Sequence, residues 1–361
     1  MANEIIFKIK KAGLVGRGGA CFSVAEKWQL VKKAEGQVKY VICNASEGEP
    51  DVKKDKFILE KYPREVITGI MAAVEYIGAK KAYIYLNQAY YKEIGSKLEA
   101  LIGSQPIEVL EKPHTAGYIG GEESAAINAI EGKRIEPRLR PPYPVDHGLF
   151  GAPTLTNNVE TFYDVARVIE DNYKPTRFFT VAFHGPKSFR LLPSLSFIKK
   201  DVFSYPADWS IEKILKKSGT RPSFKFFVQV GGRASGVVLN SNQLNEPPHG
   251  SGSITIYDLK KHNPASLINY WMNFFQNESC GKCVPCREGT YRISEQLKKD
   301  KANWELIRDL LVNLTDSAFC GLGCAVPIAI TSYFKNVYPI VAGETRGFES
   351  EASQAICDCF K

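Results

Sequence analysis

The chain has 361 residues, a formal net charge of +8, and hydrophobic and charged fractions of 44% and 24%. This length and composition predict a globular protein of roughly two to three domains with a sizeable core. The modest charge comes without a dense Lys/Arg stripe interleaved with aromatic residues, which argues against a nucleic-acid-binding protein.

The first 11 residues contain no long apolar segment, and the apolar runs elsewhere are shorter than a membrane span. We therefore expect a cytoplasmic protein, which would still allow attachment to the periphery of a membrane complex. The 9 cysteines of such a chain are expected to be reduced or metal-bound rather than paired in disulfides.

Strand and helix patterns alternate from the start of the chain to about residue 171. Short buried strands are predicted at residues 38–43, 81–86 and 107–110, and a helix is predicted to begin at Pro63 and end at Gly78. This alternation predicts an α/β layer with a largely parallel sheet.

Two further regions follow. Residues 173–252 are rich in Pro, Phe and Ser and contain strand-like runs at 178–183 and 224–230, which predicts a small β-rich module. From about Pro264 the pattern becomes helical, with apolar faces formed by two groups of residues. The first group is Leu267, Trp271, Phe274 and Phe275, and the second is Trp304, Ile307, Leu311 and Leu314.

The helical region contains a cluster of cysteines. Cys280, Cys283 and Cys286 recur at intervals of three, a spacing that allows one tight loop to bind three corners of an iron–sulfur cubane. Cys320 is the first candidate for the fourth ligand and Cys324 is the alternative. A zinc site is less consistent with this pattern, because zinc ligands usually come in separated pairs.

A glycine-rich loop near the N-terminus is a candidate phosphate site. Gly16, Arg17, Gly18, Gly19 and Ala20 precede a predicted helix at residues 24–31. Glycines let the backbone approach a ligand closely, a helix N-terminus favours an anion, and the Arg17 side chain could add a charged contact. The loop matches neither the P-loop nor the dinucleotide fingerprint, so an ordinary tight turn is an equal alternative.

Three more polar loops lie in the same region, at residues 44–50, 120–124 and 157–161. Loops at the carboxyl ends of strands are where open α/β sheets bind ligands. Structural alternatives exist for two of them. Glu122 and Glu123 could cap the helix that follows them, and Asn157 or Thr156 could be the N-cap of the next helix.

Together these segments closely resemble the NADH-binding flavoprotein subunit of respiratory complex I. They also resemble the diaphorase subunits of NAD-linked or electron-bifurcating hydrogenases and formate dehydrogenases. The segments with this resemblance lie in the family's order along most of the chain: residues 16–20, 41–45, 118–123, 131–134, 141–144, 148–151, 157–161 and 278–289.

The resemblance implies an FMN- and NAD(H)-binding α/β domain at residues 1–171 and a small β-rich, ubiquitin-like module at 172–255. A C-terminal helical bundle at 256–361 would carry an iron–sulfur cluster. The residues implied in FMN binding are Gly16, Arg17, Gly18, Gly19, Ala20, Lys27, Asn44, Tyr118, Gly121, Glu122, Glu123, Asn157, Asn158 and Thr161. Those implied to face the nicotinamide dinucleotide are Phe22, Glu47, Glu49, Glu122, Glu123 and Tyr143.

The same resemblance implies that Cys280, Cys283, Cys286 and Cys320 hold a [4Fe–4S] cluster. Hydride would pass from NADH to FMN, and single electrons would then pass to the cluster and onward to partner subunits. Because hydride transfer needs no acid–base residue, Glu122 and Glu123 are expected to position the cofactors and not to act as general bases.

The implied partners are a thioredoxin-like [2Fe–2S] subunit and a larger electron-accepting subunit. Neither the final acceptor nor the choice between NADH and NADPH follows from the sequence, although the carboxylates Glu47, Glu49 and Glu123 favour NADH over a 2′-phosphate. Two alternatives remain: an electron-transfer subunit that has lost nicotinamide binding, and a zinc-stabilised binding protein with a vestigial flavin fold.

Several positions depart from the family's usual pattern. Cys21 and Asp51 stand where the family usually has Gly, and Ser46 stands where it usually has Asp. Cys21 is interpreted as a small apolar filler, with a thiol that modulates the flavin as the alternative. Additional thiols are present at Cys324, Cys357 and Cys359.

Overall fold

The structure is a computed structural model that describes residues 2–184, 202–299 and 301–342. Cys357 and Cys359 lie outside the described residues. The described residues up to Pro175 form one compact unit, except Glu49–Val52, which belong to the second unit with the residues from Thr176 onward.

A parallel sheet forms the centre of the first unit. Its strands are β1 (Tyr40–Ala45), β2 (Lys81–Leu86), β3 (Ile107–Glu111) and β4 (Thr154–Asn158), in the order β3-β2-β1-β4. Every neighbouring pair is parallel. The predicted α/β layer with a parallel sheet is therefore confirmed, but β4 was not predicted, because its sequence was interpreted as a polar turn.

Helices connect and cover these strands. They are α1 (Ala2–Lys11), α2 (Val24–Lys33), α3 (Lys54–Lys61), α4 (Pro63–Ile77), α5 (Gln88–Ile102), α6 (Glu123–Ile130), α7 (Pro144–His147) and α8 (Val159–Ile169). The predicted limits of α4 are confirmed: Pro63 occupies its first turn, and Gly78 ends it with a left-handed backbone at φ 71°.

Gly69 allows α4 and α8 to pack at close range. A Cβ atom at this position would lie 2.0 Å from the carbonyl oxygen of Phe162, which belongs to the backbone of α8. Ala normally stabilises a helix relative to Gly, but here the added methyl group would force the two helices apart. We expect Gly69→Ala to lower the free energy of unfolding by about 2 kcal/mol.

Chemical denaturation would measure this loss, with Gly95→Ala in α5 as the matched control. A Cβ at Gly95 would first meet the side chain of Tyr91, at 3.2 Å, and a side chain can move aside. Equal effects of the two substitutions would contradict the packing explanation.

The second unit contains a mixed sheet of five strands. They are β5 (Thr176–His184), β6 (Val202–Pro206), β7 (Phe226–Val230), β8 (Val237–Asn240) and β9 (Ser253–Asp258), in the order β6-β5-β9-β7-β8. Helix α9 (Ile211–Lys217) contributes Ile211, Ile214 and Leu215 to a core shared with the sheet. The predicted strands in this region are confirmed as β5 and β7.

The remainder of the second unit is helical. Its helices are α10 (Pro264–Glu278), α11 (Val284–Leu297), α12 (Trp304–Ser317), α13 (Gly321–Asn336) and α14 (Tyr338–Ala342). The apolar face predicted for α12 is confirmed, because Trp304, Ile307, Leu311 and Leu314 are all buried. Helices α10, α11, α12 and α13 pack in sequence, and α13 also contacts α10.

Candidate functional site

The carboxyl edge of the first sheet gathers the polar loops predicted from the sequence. The chain proceeds outward from β1 to β2 and β3 on one side, whereas β4 lies on the other side of β1. The connections therefore change direction between β1 and β4, which is where open α/β sheets form a ligand crevice. Asn44 of β1 and Asn158 of β4 are paired in register at this point.

The glycine-rich loop is closed by a bridge between Val15 and Ser23, and the Gly16 amide donates to the carbonyl of Phe22 at 2.9 Å. A Cβ at Gly18 would lie 3.4 Å from the Cβ of Asn158, so this loop lies against the end of β4. Gly19 has φ +112°, and a Cβ there would meet nothing within 4 Å. The loop therefore has an open side next to its glycines.

The side chain of Arg17 does not extend into that open side. Its amide donates to Thr161 Oγ1 at 3.0 Å, and its guanidinium forms a buried ion pair with Asp164 at 3.2 Å. Arg17 Nη2 also donates to the hydroxyl of Tyr173 at 3.4 Å. The expected charged contact from this side chain to a phosphate is therefore wrong, because the guanidinium is part of the interior of the fold.

The turn at residues 118–123 lies beside the end of β1. Asn44 Nδ2 donates to the carbonyl of Gly121 at 2.9 Å, and a Cβ at Gly121 would come within 2.7 Å of Ser46 Oγ. A Cβ at Gly48 would likewise lie 3.3 Å from the Cα of Tyr118. The two segments are therefore so close that a Cβ at Gly121 would force the Ser46 side chain to move.

Glu122 and Glu123 have different surroundings. The Glu122 carboxylate accepts from the amides of Ser124 and Ala125 at 2.9 Å, so the capping alternative is confirmed for this residue, and it also pairs with Arg140 at 2.5 Å. Glu123 pairs with Lys27 at 2.7 Å. Both carboxylates are held in place by hydrogen bonds and ion pairs.

The segment at residues 157–161 differs from its prediction. Asn157 and Thr156 belong to β4, and the N-cap of α8 is Asn158, whose side chain accepts from the Glu160 amide. The proposal of Asn157 or Thr156 as N-cap was wrong by one or two residues. The strand was missed because its Thr and Asn residues have low apolar character even though they are buried.

Lys27 joins this edge from α2. Its ammonium group donates to the carbonyl of Thr156 at 2.8 Å in addition to its ion pair with Glu123. Trp28, next along the helix, donates to Asn157 Oδ1 at 3.0 Å. Thus residues 44–48 of one predicted loop, the three other predicted loops and Lys27 lie together at one edge of the sheet.

A buried charge network that the sequence analysis missed lies behind this edge. The Lys54 ammonium group pairs with Asp55 at 2.6 Å and with Glu160 at 3.3 Å, and all three side chains are at most 4% exposed. It also donates to Asn158 Oδ1 at 2.8 Å, while Asn158 Nδ2 donates to Asp55 Oδ2 at 2.7 Å. Adjacent opposite charges at the start of α3 were the available signal in the sequence.

Glu47 extends the network. Its carboxylate accepts from the Asp55 amide at 2.8 Å, from the Lys56 amide at 3.2 Å and from the hydroxyl of Tyr90 at 2.9 Å. Burial, reinforced by the charge of Asp55, raises the pKa of Glu47 to about 7 even though Lys54 opposes the shift.

The remaining predicted dinucleotide residues are separate from this network. The side chains of Phe22 and Tyr143 are about half exposed, at 49% and 51%. Glu49 belongs to the second unit, where its carboxylate accepts from the Ala234 amide at 2.9 Å and from Ser235 Oγ at 3.0 Å.

Cys21 and Asp51 both have a left-handed backbone, with φ values of 52° and 65°. This conformation costs other residues energy that glycine does not incur, which explains the glycine at these positions in the family that the sequence resembles. Cys21 is exposed in the structure, and its interpretation as an apolar filler beside the flavin stays a prediction. Asp51 pairs with Arg233 at 3.0 Å.

We expect Cys21→Gly to raise the free energy of unfolding by about 0.5–1 kcal/mol, because the gain from relieved strain exceeds the added entropy of the unfolded chain. Thermal and chemical unfolding would measure the gain. Cys21→Ala keeps the left-handed strain and serves as the control, so the same gain from both substitutions would contradict the backbone explanation.

The cysteines of the helical region are drawn together by their helices. Cys283 is the N-cap of α11 and Cys320 is the N-cap of α13, so both residues lie at the start of a helix. Burial raises the pKa of Cys286 to about 11, and the neighbouring Cys283, Cys320 and Cys280 add to the shift. These four residues are therefore electrostatic neighbours.

Contacts around the thiols connect the two helix starts. A Cβ at Gly323 would lie 3.5 Å from the Cβ of Cys286, and Lys282 Nζ lies 5.1 Å from the ring centre of Phe319. Arg287 Nη1 donates to the carbonyl of Gly281 at 2.8 Å. Within the described residues, no group of three or more His, Cys, Asp or Glu side chains meets the geometry for a single metal ion.

Cys324 has a different environment from the other four thiols. Its sulfur contacts the carbonyl of Ala318 at 3.6 Å, whereas Cys283, Cys320 and Cys280 are the thiols that act on the pKa of Cys286. The structure therefore favours Cys320 over Cys324 as the neighbour of the Cys280–Cys286 loop.

None of the helices in the described ranges has both the length and the apolar character needed to cross a membrane. An α/β unit with a polar crevice at its sheet switch point, together with a helical region that assembles four cysteines, defines a flavin- and iron–sulfur-binding type of redox protein.

Comparison with known proteins supports this class. Residues 9–167 match the Nuo51 FMN-binding domain, and residues 266–340 match the NADH-ubiquinone oxidoreductase-F iron–sulfur binding region. The F subunit of the NADH-quinone oxidoreductase from Aquifex aeolicus is 32% identical over 351 residues, which cover 89% of this chain and 81% of the relative. The chain belongs to this family of NADH-oxidising flavoprotein subunits.

Hydrogenase subunits are also similar. The NAD-reducing hydrogenase HoxS subunit alpha of Cupriavidus necator is 33% identical over 356 residues, covering 90% of this chain and 58% of the relative. A crystal structure of NAD+-reducing [NiFe]-hydrogenase in the H2-reduced state superposes with a TM-score of 0.84 at 28% identity. That match covers 97% of this chain and 64% of the hydrogenase chain, so this chain spans about three fifths of these two proteins.

The predicted family, enzyme class and cofactors are thereby confirmed. The protein is an NADH dehydrogenase-type oxidoreductase whose cofactors are FMN, NAD(H) and a [4Fe–4S] cluster. The relatives are subunits of multi-subunit enzymes, which implies partner subunits for this chain.

Proposed function

We propose that the carboxyl edge between β1 and β4 binds FMN, with NAD(H) alongside it, and that the starts of α11 and α13 hold the [4Fe–4S] cluster. The proposed domain limits are residues 1–171 for cofactor binding, 172–255 for a ubiquitin-like module and 256–361 for the cluster-binding bundle. The principal observation is that four separate polar loops converge at the switch point of the parallel sheet.

The residues present at this edge are suited to FMN. The open side of Gly19 gives a phosphate access to backbone amides next to the start of α2. The buried hydroxyl of Thr156 has no hydrogen-bond partner within the described residues, and the Lys27 ammonium group donates to the backbone carbonyl of the same residue. A flavin ring system and its ribityl chain present hydrogen-bonding atoms that such groups can satisfy.

We assign FMN contacts to the following residues: Gly16, the Arg17 backbone, Gly18, Gly19, Ala20, Lys27, Asn44, Tyr118, Gly121, Glu122, Glu123, Asn157, Asn158 and Thr161. We assign dinucleotide contacts to Phe22, Glu47, Glu49, Glu122, Glu123 and Tyr143. The exposed rings of Phe22 and Tyr143 are available for stacking on bases.

Glu122 and Glu123 act as positioning residues in this proposal. Helix capping and the Arg140 ion pair fix Glu122, and the Lys27 ion pair fixes Glu123. These contacts occupy oxygens of both carboxylates and fix the orientation of the two side chains. These side chains therefore orient cofactor groups through hydrogen bonds.

The donor set of the helical region suits a cubane cluster. Cys280, Cys283, Cys286 and Cys320 supply the four thiolates that such a cluster requires, and a cubane presents its irons at separate corners. Cys283 and Cys320 are the N-caps of α11 and α13, so the starts of two helices contribute ligands to the proposed cluster. The Arg287 contact to Gly281 holds the loop between the first two ligands.

Bound FMN supplies the conversion from two-electron to one-electron transfer, because it accepts hydride from NADH whereas an iron–sulfur cluster accepts single electrons. The proposed recipients beyond this chain are a thioredoxin-like [2Fe–2S] subunit and a larger acceptor subunit. We propose a cytoplasmic location for the assembly.

An anaerobic absorbance spectrum of the purified chain with added FMN, before and after NADH, tests this function. We expect NADH to bleach the flavin bands and the broad cluster absorption. A chain whose flavin and cluster respond to dithionite, but to neither NADH nor NADPH, would instead be an electron-transfer subunit. A colourless protein that contains zinc and no iron would contradict the cluster as well.

A further inference from the structure

The buried network behind the flavin edge contains more acids than bases. Its carboxyl groups are Glu47, Asp55, Glu160 and Asp164, and its cations are Lys54 and Arg17. If all of these groups were ionised, negative charge would exceed positive charge inside the unit, even with Arg167 facing Asp164 from the same helix. Buried charge of this kind is costly, so such a cluster retains protons that solvent-exposed carboxyls would release.

We propose that this network takes up a proton from solvent when negative charge arrives on the flavin, so that it is a charge-compensating proton site for the redox reaction. The inference rests on FMN binding at the proposed edge. It adds a role for Glu47, Asp55, Glu160, Asp164 and Lys54 that flavin binding does not itself require.

The charges balance as follows. A hydride carries two electrons and one proton from NADH, so NADH becomes NAD+ and the flavin gains one negative charge. One proton from solvent then binds a carboxylate of the network, which becomes a neutral carboxyl group. No oxidant or reductant is needed beyond those of the proposed reaction.

Direct contacts link the network to the flavin edge on two sides. Asn158, an assigned FMN contact, accepts a hydrogen bond from Lys54 and donates one to Asp55. On the other side, the Arg17 backbone belongs to the glycine-rich loop while its guanidinium pairs with Asp164. A charge placed at this edge therefore acts on the network at short range and with little screening.

Asp164 is the member at the glycine-loop end. Burial, increased by the charge of Glu160 on the same helix, raises the pKa of Asp164 to about 7, while Arg17 and Arg167 oppose the shift. Tyr173 also faces this carboxyl group. Glu47 has a similar setting at the other end, where Asp55, Lys54 and Tyr90 face it. Both ends therefore change protonation near neutral pH.

Infrared difference spectroscopy of the FMN-loaded full chain is the first test. Electrodes reduce the protein at neutral pH, which avoids any dependence on NADH binding. We expect reduction to produce a carbonyl band of a protonated carboxyl group that shifts in D2O. Proton uptake, measured with an indicator dye in weak buffer, should decrease in Asp164→Asn by up to one proton per flavin.

Glu47→Gln provides a second variant in case Asp164→Asn does not fold, and Asp171→Asn is the matched control. Asp171 lies just beyond α8 and pairs with Lys8, but its side chain is 74% exposed. The control should retain the band and the uptake of the unmodified chain. Loss of either signal in Asp171→Asn to the same extent as in the network variants would overturn the inference.

The unmodified chain alone can also overturn it, if the flavin is reduced and no protonated-carboxyl band appears. Failure of the proposed function has a different signature, because a chain that retains no FMN shows no flavin bands before reduction. That result would remove both conclusions, whereas a flavin-loaded chain without the band removes only the proton site.

Discussion

Replacing Cys320 with serine should remove the [4Fe–4S] cluster, whereas the same change at Cys324 should leave it in place. Cys320 is the N-cap of α13 and contributes to the electrostatic surroundings of Cys286, together with Cys283 and Cys280. A cubane that loses one of four thiolates has an exposed iron and is readily lost. Cys324 has no such role, and its sulfur contacts the carbonyl of Ala318 instead.

Iron content and the broad cluster absorbance measure this difference. We expect Cys320→Ser to lose most of both, and to lose electron transfer beyond the flavin, while NADH still bleaches the FMN bands. Cys324→Ser should retain the iron content and electron transfer of the unmodified chain. Retention of a full cluster in Cys320→Ser, with loss in Cys324→Ser, would reverse the ligand assignment.

The flavin and the cluster can be tested separately because their proposed ligands belong to different compact units of the chain. The proposed FMN contacts belong to the first compact unit and the four thiols to the second. We therefore expect a cluster-deficient variant to leave the folding of the parallel α/β unit intact, so that flavin bleaching by NADH persists without the cluster.

The sequence predicted those elements that are determined by the backbone preferences or spacing of residues close together in the chain. Helix α4 is the clearest example, because Pro63 and Gly78 mark its ends by their own backbone preferences. The three-residue spacing of Cys280, Cys283 and Cys286 likewise indicated a cluster without any knowledge of the fold. Both signals are contained in short segments and survive without tertiary information.

Other elements depend on contacts between distant segments. Strand β4 is buried although it consists largely of Thr and Asn, and hydrogen bonds from Lys27 and Trp28 satisfy the Thr156 carbonyl and Asn157 Oδ1. Cys21 shows the same limit at the backbone level, since its left-handed φ is set by the closed loop and not by the preference of the residue. Neither property can be derived from residue type and spacing.

The charge network was missed for a related reason. Lys54 and Asp55 are neighbours in sequence, and most such pairs on a helix are exposed, where they contribute little to stability. Here α3 packs on α8, so Lys54 forms an ion pair with Glu160, which is distant in sequence. The sequence does not show that these side chains are buried. Because they are buried, an ordinary charge pair becomes part of the interior of the first unit.

Loss of the Lys54 ammonium group should therefore be among the most destabilising single changes in the first unit. Lys54→Met keeps the apolar stem but leaves Asp55 and Glu160 without their shared cation in a buried position. Breaking a buried ion pair by removing one partner costs about 3–5 kcal/mol. Lys61→Met is the control, because Lys61 lies in the same helix and is exposed, and it should change stability by less than about 0.5 kcal/mol.

The pH dependence of the stability lost in Lys54→Met distinguishes two causes: carboxylates left without a cation, and lost packing of the lysine side chain. In the unmodified chain, the raised pKa values of Glu47 and Asp164, both about 7, mean that the folded state binds more protons than the unfolded state. Their contribution to stability is therefore full at about pH 4 and is lost as the pH rises through about 7. In Lys54→Met the uncompensated carboxylates should add to this trend, so denaturation at about pH 6 and at about pH 8, each about one unit from that midpoint, should show a larger loss at the higher pH. A loss equal at both values would indicate that the lysine stabilises the unit only through packing.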